Sequence, residues 1–334
     1  MMSNPVLVEV IRGGLVESRH RGAVAVVDAD GAAVFAVGDA ARPVFPRSAV
    51  KPLQALPLVE SGAADRCKLS DEELALACAS HSGEPAHVEG VGRMLSKAGL
   101  DPSALACGVH WPRAQAATLA LARTGAAASA LHNNCSGKHA GFLCVACAMG
   151  VEHTDYWRPE HAVQRQVRAV LEDLTGAALS QDRCAVDGCS VPTWAVPLTS
   201  LARAFAKFGS GRGLAPMRAR AAARLYQACV ENPWHVAGTG RFCTEIMRLL
   251  GSRALVKTGA EGVFCGALPA RGLGIAVKID DGAGRAAEAV MAALLARFVT
   301  LEHRQREALE RFVRSVLRNW NNIEIGALRV TEAI

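Results

Sequence analysis

In the stretch FPRSAVKP a serine, Ser48, stands three residues before a lysine, Lys51. At that spacing two side chains share one face of a helix. A serine hydroxyl is a poor nucleophile at neutral pH and needs a base. A lysine amine can serve when burial or a second cation lowers its pKa. Placement at a helix start adds the positive end of the helix dipole, which disfavours the ammonium and stabilises a developing alkoxide. Ser48 is therefore a candidate nucleophile and Lys51 its candidate base.

Other stretches carry chemistry of their own. VKTGAEG places Lys257-Thr258-Gly259 at the end of an expected strand. A Ser-x-x-Lys helix start with a later Lys-Thr-Gly strand is the pairing of serine β-lactamases and penicillin-binding proteins. A clear Ser-Asp-Asn triplet is missing between them, which weakens a penicillin-type reading. ASHSGEPAH sets Ser80, His81 and Ser82 directly after a helix, where a hydroxyl is expected to be displayed at the helix end. LHNNCSGKHAG gathers amides, a thiol, a lysine and imidazoles in the turn before a helix, with Cys135 and Lys138 on one face. DGCSVPTW offers Asp187 and Cys189 in a turn. Two thiols from separate loops can bind zinc, but without Cys-x-x-Cys spacing the residues alone favour structural cysteine. GTGRFCTEIM is a glycine-rich helix start of the kind that can cradle a carboxylate.

The elements that must position these residues follow from the hydrophobic pattern. VLVEVIR and AVAVVDADGAAVFAVG read as strands around an Asp-Gly turn. A helix is expected near Ser48, and LSDEELALACAS carries a Ser70/Glu73 capping box. A series of helices fills the middle of the chain. After about residue 252, three short strands are expected, then two helices, RAAEAVMAALLARFV and HRQREALERFVRSVL, and a last strand in NIEIGALRV. The fold class is thus α/β (α+β): an antiparallel sheet built from both chain ends with covering helices, beside a central all-α lobe. The sheet lobe spans about 1–45 and 252–334 and the helical lobe about 46–251 of one domain.

At 51% hydrophobic and 20% charged residues, the 334-residue chain can bury a large core and lacks the composition of disorder. No stretch has the length of a membrane span. The start, MMSNPVLVEVIRGG, does not read as a secretory signal, and a cytoplasmic location is expected. The net charge of +6 is scattered rather than clustered, which argues against nucleic acid as a partner. The 11 cysteines are expected as thiols, with CVAC (144–147) as helix core.

Taken together, VEVIRGGLVESRHRG, FPRSAVKPLQALP, ASHSGEPAH, HNNCSGKHAG, DGCSVPTW, GTGRFCTEIM and KTGAEGVFCGALP resemble the Rhizobium-type (class 3, asparaginase II) L-asparaginase family over nearly the whole chain. The resemblance implies a serine β-lactamase/glutaminase-like fold and a homodimer. It implies hydrolysis of the side-chain amide of L-asparagine to L-aspartate and ammonia. It implies two serine–lysine pairs, Ser48 with Lys51 and Ser80 with Lys257. It also implies a zinc site, one ion per subunit, on Cys135, Lys138 and Cys189. Beside the motifs, Arg47, His139 and Asp187 are the candidates for holding the substrate. The rival readings are a glutaminase, a β-lactamase-like serine hydrolase, and a non-catalytic zinc-binding regulatory protein on the same scaffold.

Overall fold

The computed structural model describes residues 3–334; the two N-terminal methionines of the expected non-signal start lie outside the described residues. Strands from the two chain ends form one sheet. The first three are β1 (Val6–Arg12), β2 (Leu15–Asp28) and β3 (Ala33–Val37). From the C-terminal part come β4 (Leu255–Thr258), β5 (Val263–Leu268), β6 (Leu273–Ile279), β7 (Arg314–Arg318) and β8 (Glu324–Val330). The order is β7-β8-β1-β2-β6-β5-β4, with β3 also on β2, and every pairing is antiparallel. The long β2 serves two neighbourhoods. Its first half pairs with β1 and its second half with β6 and β3, which curls the sheet.

β5 is buried throughout and β6 nearly so, because both faces of the sheet are covered. Strands in that position read as continuous apolar runs rather than as alternation. One face carries the helix Leu198–Ser210 and the other the helix Gly284–Phe298. The first of these belongs to the middle of the chain, so the sheet is covered by a central helix as well as by a C-terminal one.

Two boundaries differ from the sequence expectation. The helix expected across HRQREALERFVRSVL stops at Val313, and Arg314–Arg318 turns into strand β7. Its half-buried Ser315 and Leu317 alternate with exposed arginines and Val316, a period of two that competes with the helical one. The expected helix start at Ser48 is a 3-10 turn, Arg47–Val50, running into a four-residue helix α1 (Lys51–Gln54). Elements this short give little macrodipole, so the electrostatic help expected there must come from elsewhere.

Two more helices set the site. In α2 (Asp71–Ala77) the capping box of Ser70 and Glu73 is present, and the chain leaves the helix directly into Ser80. Helix α3 (Ser136–Met149) crosses α2 at its C-terminal end. The crossing is close because Gly137 has no side chain: a Cβ there would sit 2.3 Å from the Leu76 carbonyl oxygen. Gly259 of the Lys-Thr-Gly stretch works similarly. A Cβ there would lie 2.7 Å from the Pro46 carbonyl oxygen, so the space beside this glycine is taken by the turn that carries Ser48. Gly137→Ala should cost about 1–3 kcal/mol of stability through overpacking. Gly141→Ala, whose Cβ would meet Ala77 Cβ at 3.3 Å, should cost less. Urea denaturation of both variants checks the order; equal stabilities would contradict the tight crossing.

Candidate active site

The exit from α2, the start of α1 and the end of β4 converge on Ser80. Its Oγ lies 3.0 Å from Lys51 Nζ and 2.9 Å from Lys257 Nζ. All three residues are buried, and Ser80 is 2% exposed, so its hydroxyl is enclosed rather than displayed at the helix end. Lys51 Nζ also donates to the carbonyls of Ala79 at 2.6 Å and Asn134 at 3.2 Å; Lys257 Nζ donates to the Thr258 carbonyl at 2.8 Å. The bridge between the Ser-x-x-Lys lysine and the Lys-Thr-Gly lysine is therefore made by the serine of ASHS, without a Ser-Asp-Asn triplet.

Proton counting defines what this arrangement can do. A serine hydroxyl has one proton to give and lone pairs to receive. Held between two amines, it donates to one and accepts from the other. Burial lowers the Lys51 pKa. Burial first, and then the charge of Lys51, bring Lys257 down to about 7. One amine can therefore be neutral near neutral pH and act as a base.

Ser48 is half-buried on the 3-10 turn, and among the described residues its side chain makes no hydrogen bond. The structure thus brings Lys51, Ser80 and Lys257 into one chain and leaves Ser48 at its margin, with the amine of Lys51 directed to Ser80. The reason is tertiary. The carbonyls of Ala79 and Asn134 are acceptors for the amine from elements that the Ser-x-x-Lys spacing does not describe.

The residues that follow Ser80 are buried and hydrogen-bonded. His81 Nδ1 accepts from the Gly83 N–H at 3.1 Å, so its Nε2 carries the proton toward Ser136 Oγ at 2.9 Å. Burial keeps His81 neutral. His87 stacks on His81 and on Trp234, with ring centroids 5.0 and 3.9 Å away.

The thiol-bearing loops meet next to Lys51. Cys135 precedes α3, and Cys189 sits in the turn of a small ribbon, Cys184–Val186 against Pro192–Trp194. Lys138 Nζ lies 3.1 Å from Cys189 Sγ. The hydrogen bond from Cys135 holds Cys189 down to about 5, while the same bond pushes Cys135 up to about 12. Burial disfavours the Lys138 ammonium, but Cys189 and Cys135 outweigh it and raise the pKa. Among the described residues no group of three or more His, Cys, Asp or Glu side chains is placed to hold a metal ion. Cys135, Lys138 and Cys189 lie near one another here, and only two of the three are of those residue types. All 11 cysteines are free thiols.

Arg47 and Asp187 pair with each other, Nε to Oδ1 at 2.6 Å. Burial alone would raise the Asp187 pKa, but Lys138 and Arg47 hold it below its usual value. His139 is fully buried; its Nδ1 accepts from the Tyr156 hydroxyl at 2.6 Å, and its Nε2 has no partner among the described residues.

The L-asparaginase II family pattern matches residues 8–330. The chain belongs to the L-asparaginase II family. Membership makes it a hydrolase acting on amides. A comparison with curated proteins finds none that matches. Solved structures similar to the chain include a β-lactamase from Mycobacterium bovis, at 15% identity, covering 84% of this chain and 95% of that one with a TM-score of 0.45. Mglu in its native form is similar at 18% identity, covering 90% of this chain and 70% of that one with a TM-score of 0.38. Among the described residues no helix is long and apolar enough to cross a membrane.

For this asparaginase II-family amidohydrolase, the Lys257 pKa of about 7 sets a pH dependence. The amine is a base only when neutral, so kcat/KM should rise with pH and level off above about 7. Below that point it should fall about tenfold per pH unit. A rate profile that stays flat between about pH 5 and 8 would rule out Lys257 as the group whose titration controls the base.

Proposed function

We propose that the protein is an L-asparaginase that uses a serine–lysine mechanism. The observation that carries this reading is the Lys51–Ser80–Lys257 chain buried beside Ser48. A nucleophile must reach its substrate, and Ser80 is enclosed, whereas Ser48 is half-buried one turn before Lys51. Ser48 Oγ attacks the side-chain amide carbon of L-asparagine, and Lys51 takes the hydroxyl proton. Ser80 relays protons between Lys51 and Lys257, which keeps the base neutral as the reaction proceeds. Backbone N–H groups near the 3-10 turn stabilise the oxyanion. The proton returns to the leaving nitrogen, ammonia departs, and a β-aspartyl ester remains on the serine. Water, deprotonated by the same amine, then attacks the ester and releases L-aspartate. Asp187 is suited to the substrate's ammonium group, and His139 lies beside the Cys135–Lys138 segment.

A second reading makes Ser80 the nucleophile, favoured by its two lysine hydrogen bonds. Ammonia release from L-asparagine by wild type, Ser48→Ala and Ser80→Ala separates them. The first reading expects Ser48→Ala to lose more than about a thousandfold in kcat and to trap no acyl-enzyme by mass spectrometry. Ser80→Ala should retain a trappable ester at a reduced rate. An ester that persists in Ser48→Ala and vanishes in Ser80→Ala would reverse the assignment. L-Glutamine and a chromogenic cephalosporin, run alongside, test the glutaminase and β-lactamase-like alternatives; turnover of neither and release of no ammonia would favour a non-catalytic regulator.

We also propose one zinc ion per subunit on Cys135, Lys138 and Cys189. The donor set fits: two sulfurs and a nitrogen converge in a buried place, one sulfur already favours the thiolate, and a water can complete a four-coordinate ion. When bound, zinc supplies positive charge that fixes the two loops next to Lys51; the proton transfers belong to the serines and lysines. Chelation should therefore raise KM or lower the melting temperature while leaving most of kcat. An unchanged KM and melting point after complete zinc removal would contradict this role. A homodimer and a cytoplasmic location complete the reading, the first to be checked by light scattering of the purified protein.

A further inference from the structure

The GTGRF stretch contributes no residue to the proton chain, yet it borders it. Arg241 stands just before the helix Phe242–Leu250, whose start has no side-chain cap. Its Nη1 donates to Ser82 Oγ at 3.4 Å, two residues beyond Ser80. Arg113 reaches the same residue from the other side: its backbone N–H donates to the Ser82 carbonyl at 2.9 Å. Ser82 is two residues from Ser80, a span of at most about 7 Å, so Arg241 borders the proton chain.

Neither guanidinium forms an ion pair among the described residues. Glu288, on the helix Gly284–Phe298, faces Arg241 only beyond pairing distance. Burial, and then the charge of Arg241, lower the Arg113 pKa, and the Arg241 charge extends to Lys257. Two neighbouring cations, Arg241 half-buried and Arg113 exposed, repel each other without a paired anion. A carboxylate bound between them relieves that repulsion, and a guanidinium can take it through two parallel hydrogen bonds. The other arginine at the site, Arg47, is already committed to Asp187 at 2.6 Å.

We propose that Arg241, with Arg113 as its outer neighbour, forms the subsite that receives the α-carboxylate of the amide substrate. The identity of that substrate rests on the asparaginase reading above; the anion site does not. With the carboxylate at Arg241, the side chain of an amino-acid amide extends toward Ser80 and Ser48, and the subsite selects free amino acids over amides that lack the carboxylate.

The test compares L-asparagine with 3-aminopropanamide, which has the same amide and amine but no carboxylate. Losing a charge-assisted hydrogen-bond pair should raise KM for asparagine about 10- to 100-fold in Arg241→Gln, with kcat changed less than about threefold. The loss should be absent with 3-aminopropanamide, and Arg241→Lys should recover part of it. Arg113→Gln, at an exposed position, should raise KM by a smaller factor and provides the measurement if Arg241→Gln does not fold. Equal losses on both substrates, or an unchanged KM for asparagine in both variants, would overturn the subsite. Calorimetry with L-aspartate separates this outcome from failure of the asparaginase reading. If wild type releases no ammonia from asparagine, weakened aspartate binding in the arginine variants still supports the subsite, and undiminished binding overturns it.

Discussion

A single hydroxyl between two buried amines is the constraint on which the site depends. Lys51 and Lys257 each approach Ser80 Oγ, and water does not reach either to stabilise a charge. Two ammonium groups across one oxygen would repel in a medium of low dielectric. The pair therefore favours sharing a positive charge, and the serine proton is the coupling between its two ends. A neutral amine near pH 7 follows from this arrangement because burial outweighs the opposing pull of the nearby Cys135 and Cys189 on Lys51. That matters because a carboxylate next to lysine would stabilise the ammonium and remove the base.

The fold supplies that constraint by bringing three distant segments to one point. Lys257 is on β4, which is held in the sheet by β5 and, through β6, by β2 from the other end of the chain. Lys51 begins α1, whose preceding turn is seated against β4 where Gly259 leaves room for the Pro46 carbonyl. Ser80 leaves α2 and is fixed by backbone and side-chain bonds on either side: its N–H to the Val236 carbonyl, and the His81 ring to Ser136. Small residues at the contacts do the positioning. Larger ones at Gly137 or Gly259 would move a whole element and with it the amine-to-hydroxyl distances.

Much of this is legible in the sequence where the signal is local. The strands at both ends and the Ser70 capping box follow from period and turn chemistry. The Lys51–Ser80 contact does not. Ser-x-x-Lys spacing places Lys51 beside Ser48, but the amine is drawn to carbonyls at Ala79 and Asn134, which any residue type would provide. Backbone acceptors leave no trace in side-chain identity. The enclosure of Ser80 is hidden for a related reason: polar SHS reads as a surface turn, but all three residues are buried, Ser80 between two lysines and His81 against His87. Strand β7 was obscured because RFVRSVLR satisfies both periods over its short length. Arg241 was visible only as part of a glycine-rich helix start, a pattern that becomes informative once Ser82 is placed under it.

The thiol-bearing loops raise the question of how a metal can sit beside a base without disabling it. A dication near Lys51 would be expected to depress its basicity further and disturb the shared charge. In the proposed zinc-bound state the balance is different. Cys189 already favours the thiolate, whereas Cys135 holds its proton and Lys138 is an ammonium. Binding requires both to become ligands, so two protons leave as two positive charges arrive. The net charge next to Lys51 is then unchanged to first order, and only its distribution shifts. A site with three thiolates, or with a carboxylate in place of Lys138, would have fewer protons to release or a different starting charge. In that proposed state an amine donor would let the loops be fastened by a metal while the lysine–serine–lysine chain keeps its own balance.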